Sequence, residues 1–305
     1  MIDGNAPYAA LTIAGSDSSG GAGIQADLKA FAAFGVHGAS VITAVTAQNT
    51  VSVEDIHLLP LSSIEAQLDA VFSDLPIRAV KIGMIGSASI ASLVRRFLEQ
   101  ADDLIVVVDT PLMSGTGAAL GGELVRAALV EHLFPLADVI TPNLHEAALL
   151  LDQAPLNYQL YSSDDEVIEQ FKTQASHLLG LGSRSVLLKG GHFYDAQLDN
   201  EKKPSELKEK FRSNKKAIDV FAHANGTDVF VSDWVDVVHH HGTGCALASA
   251  LAANLIYGKD AGKSEQWAVV NARNWLNERL QASQHMLLGK GPGPLNIANL
   301  RQIDL

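Results

Sequence analysis

The chain of 305 residues carries 22 Lys and Arg residues against 34 Asp and Glu residues, a formal net charge of −12. Such a surface repels nucleic-acid backbones and anionic lipid, which argues against nucleic acid or a membrane as a partner, although a local positive site with Mg²⁺ could still hold a nucleotide. The hydrophobic fraction of 47% and the charged fraction of 18% are typical of a globular protein. One cysteine, Cys245, excludes an internal disulfide, and neither a signal peptide nor a membrane-spanning run is evident, so we expect a cytoplasmic protein.

Segments with strand and helix patterns alternate along the chain. Apolar runs predict strands over 8–14, 40–46, 79–82, 104–108, 139–141, 185–189 and 229–238. Helical spacing predicts helices over 24–34, 64–72, 87–99, 121–133, from 146, over 167–179, from 242 and over 265–282. Continuous apolar strands alternating with helices indicate a mostly parallel sheet covered by helices on both faces, an α/β fold. With no repeat and no convincing linker, we expect a single domain over residues 1–305.

Charges cluster and apolar residues thin out over residues 194–219. We interpret this segment as a solvated surface excursion; a mobile flap over a site is the alternative.

Ligands of open parallel sheets bind beyond the carboxyl ends of the strands, so the residues after each predicted strand are the candidates. The loop GSDSSGGAGIQAD, from Gly15 to Asp27, follows the first strand, and its four glycines permit close approach of a ligand. It matches neither the P-loop nor the dinucleotide fingerprint. An ordinary strand–helix loop is the alternative, in which Asp27 merely favours the helix dipole.

Four further strand ends carry candidate side chains. Gln48, with Asn49, suits the edge of a heterocycle, or turn chemistry. Met84 could form an apolar wall for a flat ring, or simply pack. Asp109 directly follows a buried strand, which favours metal or phosphate chemistry, and Lys189 is either a phosphate contact or a surface charge.

Asn143 and Glu146 stand three residues apart at a predicted helix start. Their spacing favours a capping box, and convergence of both side chains on one ligand is the alternative.

The segment HGTGC is the strongest feature. Gly242, Thr243 and Gly244 open a helix of small residues, whose free N–H groups and positive end form an anion site suited to a phosphoryl group. We expect the helix end to lower the pKa of the Cys245 thiol, which could then act as a base; a small buried hydrophobe is the alternative. Three consecutive histidines, 239–241, cannot all face one metal in a strand, so no metal is expected there.

Six ordered segments, GSDSSGGAGIQADLKAF, VITAVTAQNT, KIGM, ITPNLHEAALLL, LLKGGH and HGTGC, together resemble the hydroxymethylpyrimidine/phosphomethylpyrimidine kinases of the ribokinase-like superfamily, from about Ala10 to Trp275. The resemblance implies a three-layer α/β/α sandwich and a homodimer. It also implies ATP- and Mg²⁺-dependent phosphorylation of 4-amino-5-hydroxymethyl-2-methylpyrimidine, and then of its monophosphate, in thiamine biosynthesis.

The resemblance assigns a role to each candidate residue. Gly15, Asp27, Gln48 and Met84 would line the pyrimidine site, and Cys245 would take the place of the base. Gly242, Thr243 and Gly244 would form the anion hole, Lys189 would contact nucleotide phosphates, and Asn143 and Glu146 would help to hold Mg²⁺ and phosphate near Asp109.

Three positions depart from the family pattern: Pro111, Gly115 near a usual lysine, and Ile297 in place of a histidine. They put one phosphate or substrate contact in doubt. A pyridoxal kinase of the same superfamily is the first alternative function, and a non-catalytic pyrimidine-binding sensor is the second. A cysteine-nucleophile hydrolase is a distant third.

Overall fold

A computed structural model describes residues 7–112, 121–154, 156, 163–191 and 216–298. Contacts divide the chain into two compact units, Met1–Asp138 with Asp236–Leu305, and Val139–Val235. One domain over the whole chain stays a prediction.

The strands, in chain order, are β1 (Ala9–Asp17), β2 (His37–Gln48), β3 (Val53–Leu58), β4 (Ile77–Ile82), β5 (Ile105–Val108), β6 (Val139–Ile140), β7 (Ser185–Lys189), β8 (Lys216–His223) and β9 (Gly226–Asp233). The helices are α1 (Gly23–Ala33), α2 (Leu61–Asp74), α3 (Ala88–Leu98), α4 (Glu123–Ala128), α5 (Leu144–Leu150), α6 (Asp164–Leu179), α7 (Thr243–Asp260) and α8 (Glu265–Ser283). After α4 the chain makes a π turn (Leu129–Leu133) and a 3₁₀ turn (Phe134–Leu136).

The larger unit contains the strand order β3-β2-β1-β4-β5. β1 is parallel to β2 and β4, and β4 is parallel to β5, whereas β3 is antiparallel to β2. β1 and β5 are almost wholly buried and apolar, as expected of parallel strands covered on both faces. β3 is exposed and charged, which suits a strand with a single neighbour.

The smaller unit contains the order β6-β7-β8-β9, parallel between β6 and β7 and antiparallel after that. α6 packs on β7 and β8 and buries Phe171 completely. The carboxylate of Asp219 on β8 accepts a hydrogen bond from the Gly190 N–H at 2.9 Å, which holds the end of β7 in place.

Three helices begin at a serine whose hydroxyl accepts a hydrogen bond from a first-turn N–H: Ser87 for α3, Ser163 for α6 and Ser264 for α8. α7 begins at Gly242, which has a φ of +85° and offers no side-chain cap; α1, α2 and α4 also begin without one. The start of α7 therefore keeps polar N–H groups for another use.

Most predicted elements and the α/β class are confirmed, but two strands were missed. No element was predicted over β3. β8 begins inside the segment 194–219, so the surface prediction is wrong for its last residues, where Asp219 is buried. Residues 194–215 lie outside the described residues. Within the described chain, no helix has both the length and the apolar character to cross a membrane.

Gly190 and Gly191 provide a matched test of packing in the smaller unit. A Cβ at Gly190 would collide with the carbonyl oxygen of Ile218 and lie 2.6 Å from Cε2 of Phe171, whereas a Cβ at Gly191 would meet nothing within 4 Å. We expect Gly190→Ala to lower the free energy of unfolding by about 1–3 kcal/mol, measured by urea denaturation. Gly191→Ala should change it by less than about 1 kcal/mol, and equal effects of the two variants would contradict this packing.

Candidate functional site

The first glycine loop lies directly against the turn that begins α7. A Cβ at Gly242 would collide with the carbonyl oxygen of Gly21, and a Cβ at Gly21 would lie 2.5 Å from Cδ2 of His241. Side chains at these two positions are therefore excluded by close approach, and at Gly242 also by its positive φ. Two segments more than 200 residues apart in sequence meet here within the larger unit.

Asp17 at the end of β1 organises this contact. Its Oδ2 accepts hydrogen bonds from the N–H groups of Gly21 (3.1 Å) and Ala22 (2.8 Å), and its Oδ1 accepts from the Ser19 N–H at 2.8 Å. His241 Nε2 lies 3.1 Å from Oδ2. Burial alone would raise the pKa of Asp17, but the bonds from His241, Ser19 and the Ala22 N–H lower it to about 2. Asp17 is therefore a carboxylate at neutral pH.

This shift makes Asp17 a source of pH-dependent stability. A carboxyl group with a pKa of 3.8 when unfolded and about 2 when folded stabilises the native state above pH 4. The contribution, about 2 kcal/mol, is lost as the pH falls from about 4 to about 2. We expect the stability gap between wild type and Asp17→Asn to shrink by about that amount between pH 6 and pH 2, measured by urea unfolding.

The exposed residue Asp69 on α2 serves as the matched control. Asp69→Asn should stay within about 0.5 kcal/mol of wild type at both pH values. An Asp17→Asn gap that is the same at pH 6 and pH 2 would contradict the depressed pKa.

A fully buried ion pair lies behind the loop. Lys81 Nζ on β4 is 2.8 Å from Oδ1 and 3.0 Å from Oδ2 of Asp27 on α1. Thr12 on β1 and Ser249 on α7 donate their hydroxyl hydrogens to the same carboxylate at 2.6 and 2.8 Å. All four side chains are buried, so one carboxylate joins four elements. Whether Asp27 also contacts a ring stays a prediction.

Both members of the pair have shifted pKa values. Burial raises the pKa of the Asp27 carboxyl, against the opposing effect of Lys81 and the two hydroxyl donors. Burial would lower the pKa of the Lys81 ammonium, but Asp27, Cys245 and Asp109 raise it well above its usual value. The lysine therefore stays charged in the interior.

Cys245 lies in the first turn of α7, half-buried, and packs against a small apolar cluster formed by Ala26, Ala246, Leu295 and Ile297. Burial raises the pKa of its thiol to about 12, although Lys81 and the Gly23 N–H act in the opposite direction. The expectation that the helix end lowers this pKa is wrong, because desolvation of the thiolate outweighs the favourable charges. Ile297 is one of the apolar residues of this cluster.

The start of α7 has N–H groups that no side chain caps. The Thr243 N–H bonds the His240 carbonyl at 3.2 Å, and the first intrahelical bond runs from the Ala246 N–H to the Gly242 carbonyl. The N–H groups of Gly244 and Cys245 between them have no partner inside the helix. Gly242 and Gly244 offer no side chain that could obstruct an approaching phosphoryl group.

The remaining candidates of the larger unit lie at or just beyond the carboxyl ends of their strands. Gln48 Nε2 lies 3.0 Å from Nε2 of His241. Met84 Sδ lies 3.2 Å from where a Cβ of Gly15 would stand, so these two residues are in contact. Asp109, at the end of β5, is buried, and its N–H bonds the carbonyl of Ile82 at 2.8 Å.

Of the departures beyond Asp109, Pro111 is half-buried, and Gly115 lies outside the described residues.

In the smaller unit the capping box is confirmed. Asn143 Oδ1 accepts hydrogen bonds from the His145 and Glu146 N–H groups at 2.9 Å, and Glu146 Oε2 accepts from the Asn143 N–H at 2.9 Å. The Lys189 N–H bonds the Pro142 carbonyl at 2.8 Å, which brings Lys189 beside this helix start. Roles in phosphate or Mg²⁺ binding stay predictions for all three residues, Asn143, Glu146 and Lys189.

Three important residues were missed in the sequence: Lys81, Asp17 and His241. A lysine between apolar residues in the strand pattern IRAVKI is a signal that could have drawn attention to Lys81. Asp17, two residues before Ser19 in a glycine loop, is a typical turn-forming aspartate. The sequence raised His241 as a metal ligand or as a histidine paired with Cys245, and its contacts with Asp17 and Gln48 were not predicted.

Comparisons with known proteins agree on one family. The family model described as phosphomethylpyrimidine kinase matches residues 17–296. A hydroxymethylpyrimidine/phosphomethylpyrimidine kinase of Rhizobium meliloti is 40% identical over 291 residues, 94% of this chain and 96% of that protein.

Two solved structures share the fold. Pyridoxal kinase of Staphylococcus aureus, in complex with AMP-PCP and pyridoxal, has a TM-score of 0.76 and 29% identity over 98% of this chain and 97% of its own. Phosphomethylpyrimidine kinase of Clostridium difficile has a TM-score of 0.66 and 35% identity over 89% and 98%. These likenesses confirm the predicted ribokinase-like α/β fold, and the chain belongs to the phosphomethylpyrimidine kinase family.

Proposed function

We propose that this protein transfers a phosphoryl group from ATP to 4-amino-5-hydroxymethyl-2-methylpyrimidine, and then to its monophosphate, in thiamine biosynthesis. The observation that carries the proposal is the start of α7, open to an anion and free of a side-chain cap, with Cys245 in its first turn beside the first glycine loop. Family membership supports it independently.

The pyrimidine site comprises Gly15, Gln48 and Met84. Contact between Gly15 and Met84 supports an apolar wall for the flat ring. The amide of Gln48 supplies one donor and one acceptor for the heteroatoms at the edge of the ring. Asp27 belongs to the same proposed site, and its carboxylate is fixed by Lys81, Thr12 and Ser249.

The phosphates are held by N–H groups and charges. Gly242, Thr243 and Gly244 supply the anion hole, and the Lys189 ammonium supplies a positive charge. Asp109 and Glu146 are buried carboxylates, each in its own unit, whose oxygens suit Mg²⁺, and Asn143 fixes Glu146 through the capping box. Mg²⁺, when bound, neutralises charge on the transferring phosphoryl group.

Cys245 orients the substrate hydroxyl. With a pKa of about 12 the thiol is protonated at neutral pH, so its sulfur accepts the hydroxyl hydrogen bond and does not begin as a thiolate base. Phosphoryl transfer has a loose transition state, in which alignment of the nucleophile matters more than early removal of its proton.

Pyridoxal is the second candidate substrate. The complex of S. aureus pyridoxal kinase with AMP-PCP, an ATP analogue, and pyridoxal has the higher TM-score, 0.76 against 0.66 for the C. difficile enzyme. Sequence identity favours the pyrimidine, at 35% for the C. difficile enzyme and 40% for the R. meliloti protein against 29%.

An assay of ATP consumption with Mg²⁺ decides between these substrates. We expect turnover of hydroxymethylpyrimidine and of its monophosphate with kcat/KM at least about tenfold above that for pyridoxal, because the Gln48 amide matches the aminopyrimidine edge. A higher kcat/KM for pyridoxal would contradict the proposed pyrimidine substrate but would leave the proposed mechanism unchanged. Binding of the pyrimidine without any turnover would contradict the proposed kinase activity and favour a pyrimidine-binding sensor.

Substitution of Cys245 tests its role. We expect Cys245→Ala to lower kcat by about 10- to 100-fold, through loss of the group that orients the hydroxyl. The KM for ATP should change by less than about twofold. Cys245→Ser, which keeps an acceptor, should recover part of the activity. Wild-type turnover in Cys245→Ala would remove the residue from the mechanism; thermal melting of each variant controls for packing.

We also propose that the enzyme is cytoplasmic, in keeping with its single free cysteine, and that it is a homodimer. Sedimentation at micromolar concentration tests the dimer, and a monomer would contradict it.

A further inference from the structure

His241 contacts two groups of opposite character through one ring nitrogen. Its Nε2 lies 3.1 Å from Oδ2 of Asp17, an acceptor, and 3.0 Å from Nε2 of Gln48, a donor as placed. The imidazole is mostly buried, with 11% of its side chain exposed. One nitrogen cannot both donate its hydrogen to the carboxylate and accept a hydrogen from the amide.

The carboxylate decides where the hydrogen lies. Every other group that hydrogen-bonds the Asp17 carboxylate is a donor, namely the N–H groups of Ser19, Gly21 and Ala22 and the hydroxyl of Ser19. A buried carboxylate can only accept, so His241 Nε2 must carry a hydrogen. Nε2–H then faces the NH₂ group of Gln48, donor against donor.

Thr46 shows a second conflict at the other end of the amide. Its hydroxyl donates its single hydrogen to the Ser16 carbonyl at 3.0 Å. The contact from Thr46 Oγ1 to Gln48 Oε1 is longer, at 3.4 Å, so the hydrogen lies toward Ser16 and contributes little to this contact. At this contact two oxygen atoms face each other, and at His241 the Nε2–H donor faces the NH₂ donor of Gln48.

One rotation removes both conflicts. Amide oxygen and nitrogen are assigned from their partners, since their shapes are nearly the same. Turning the amide by 180° places its oxygen against His241 Nε2–H, whose hydrogen Asp17 Oδ2 and the amide oxygen then share in a bifurcated bond, and places its NH₂ against the Thr46 oxygen. The Gln48 backbone needs no movement, because Ser18 Oγ accepts its N–H at 2.8 Å and donates to its carbonyl at 2.6 Å.

We propose that His241, held by Asp17, is a positioning residue that fixes the Gln48 amide with its oxygen toward the imidazole and its NH₂ toward Thr46. The outer edge of the amide then presents an acceptor on the His241 side and a donor on the Thr46 side. This order complements the N=C–NH₂ edge of an aminopyrimidine in one orientation only. The substrate part of the inference rests on the proposed function; the amide orientation does not.

Proton–nitrogen correlation spectra of the histidine rings in the intact wild-type protein test the orientation directly, with His241 assigned by its absence in His241→Gln. The expected result is a hydrogen on Nε2 at neutral pH. An unprotonated Nε2 would overturn the inference, because Gln48 could then donate to it. This measurement needs no turnover, so failure of the proposed function leaves it decisive.

Kinetics test the consequence for substrate. His241→Leu should raise the KM for hydroxymethylpyrimidine by about tenfold, as expected for one lost orienting hydrogen bond, with the KM for ATP within about twofold. His241→Gln should restore the pyrimidine KM, because its NH₂ group reaches the position of Nε2 and donates to both partners. The exposed His285 provides the control, and His285→Leu should match wild type.

Two kinetic outcomes would overturn the positioning role. The first is a wild-type pyrimidine KM in His241→Leu. The second is an equal loss in His241→Leu and His241→Gln, since a purely structural role would not distinguish a donor from an apolar side chain. If wild type turns over no pyrimidine at all, the proposed function fails, and the ring spectra alone decide the amide orientation.

Discussion

The buried ion pair between Lys81 and Asp27 is the interaction on which the larger unit depends. Both side chains are fully buried, and removing two charges from water costs several kcal/mol per ion. The cost is offset because the carboxylate also accepts hydroxyl hydrogens from Thr12 and Ser249. These four residues belong to β1, α1, β4 and α7, so a single polar cluster joins two strands and two helices of the site.

Two of the candidate residues lie close in sequence to a member of this cluster. Cys245 precedes Ser249 by one helical turn, and Met84 follows Lys81 by three residues. The same Lys81 charge acts on the Cys245 thiol, but it does not overcome burial, whose effect raises the thiol pKa to about 12. The cluster therefore fixes the positions of the site residues. Phosphoryl transfer depends more on alignment of the attacking hydroxyl with the phosphoryl group than on a strong base.

Local signals were sufficient for much of the fold and for part of the site. The run IVVV of β5 and the pair Asn143 and Glu146 could be predicted, because burial of a strand and a capping box depend on neighbouring residues. The pKa of Cys245 could not, because the effect of a helix end is local whereas desolvation depends on the tertiary packing. The contact of Gln48 with His241 spans 193 residues of sequence, and no local pattern indicates it.

A double-mutant cycle on the ion pair tests this account most directly. Lys81→Met and Asp27→Asn should each lower the free energy of unfolding by about 3–5 kcal/mol, since each leaves a buried charge or its partner uncompensated. The double variant, which buries no charge, should lose much less than the sum of the two, by at least about 2 kcal/mol. Losses that add to within about 0.5 kcal/mol would show that the two residues act independently, and would contradict a polar cluster that holds the site together.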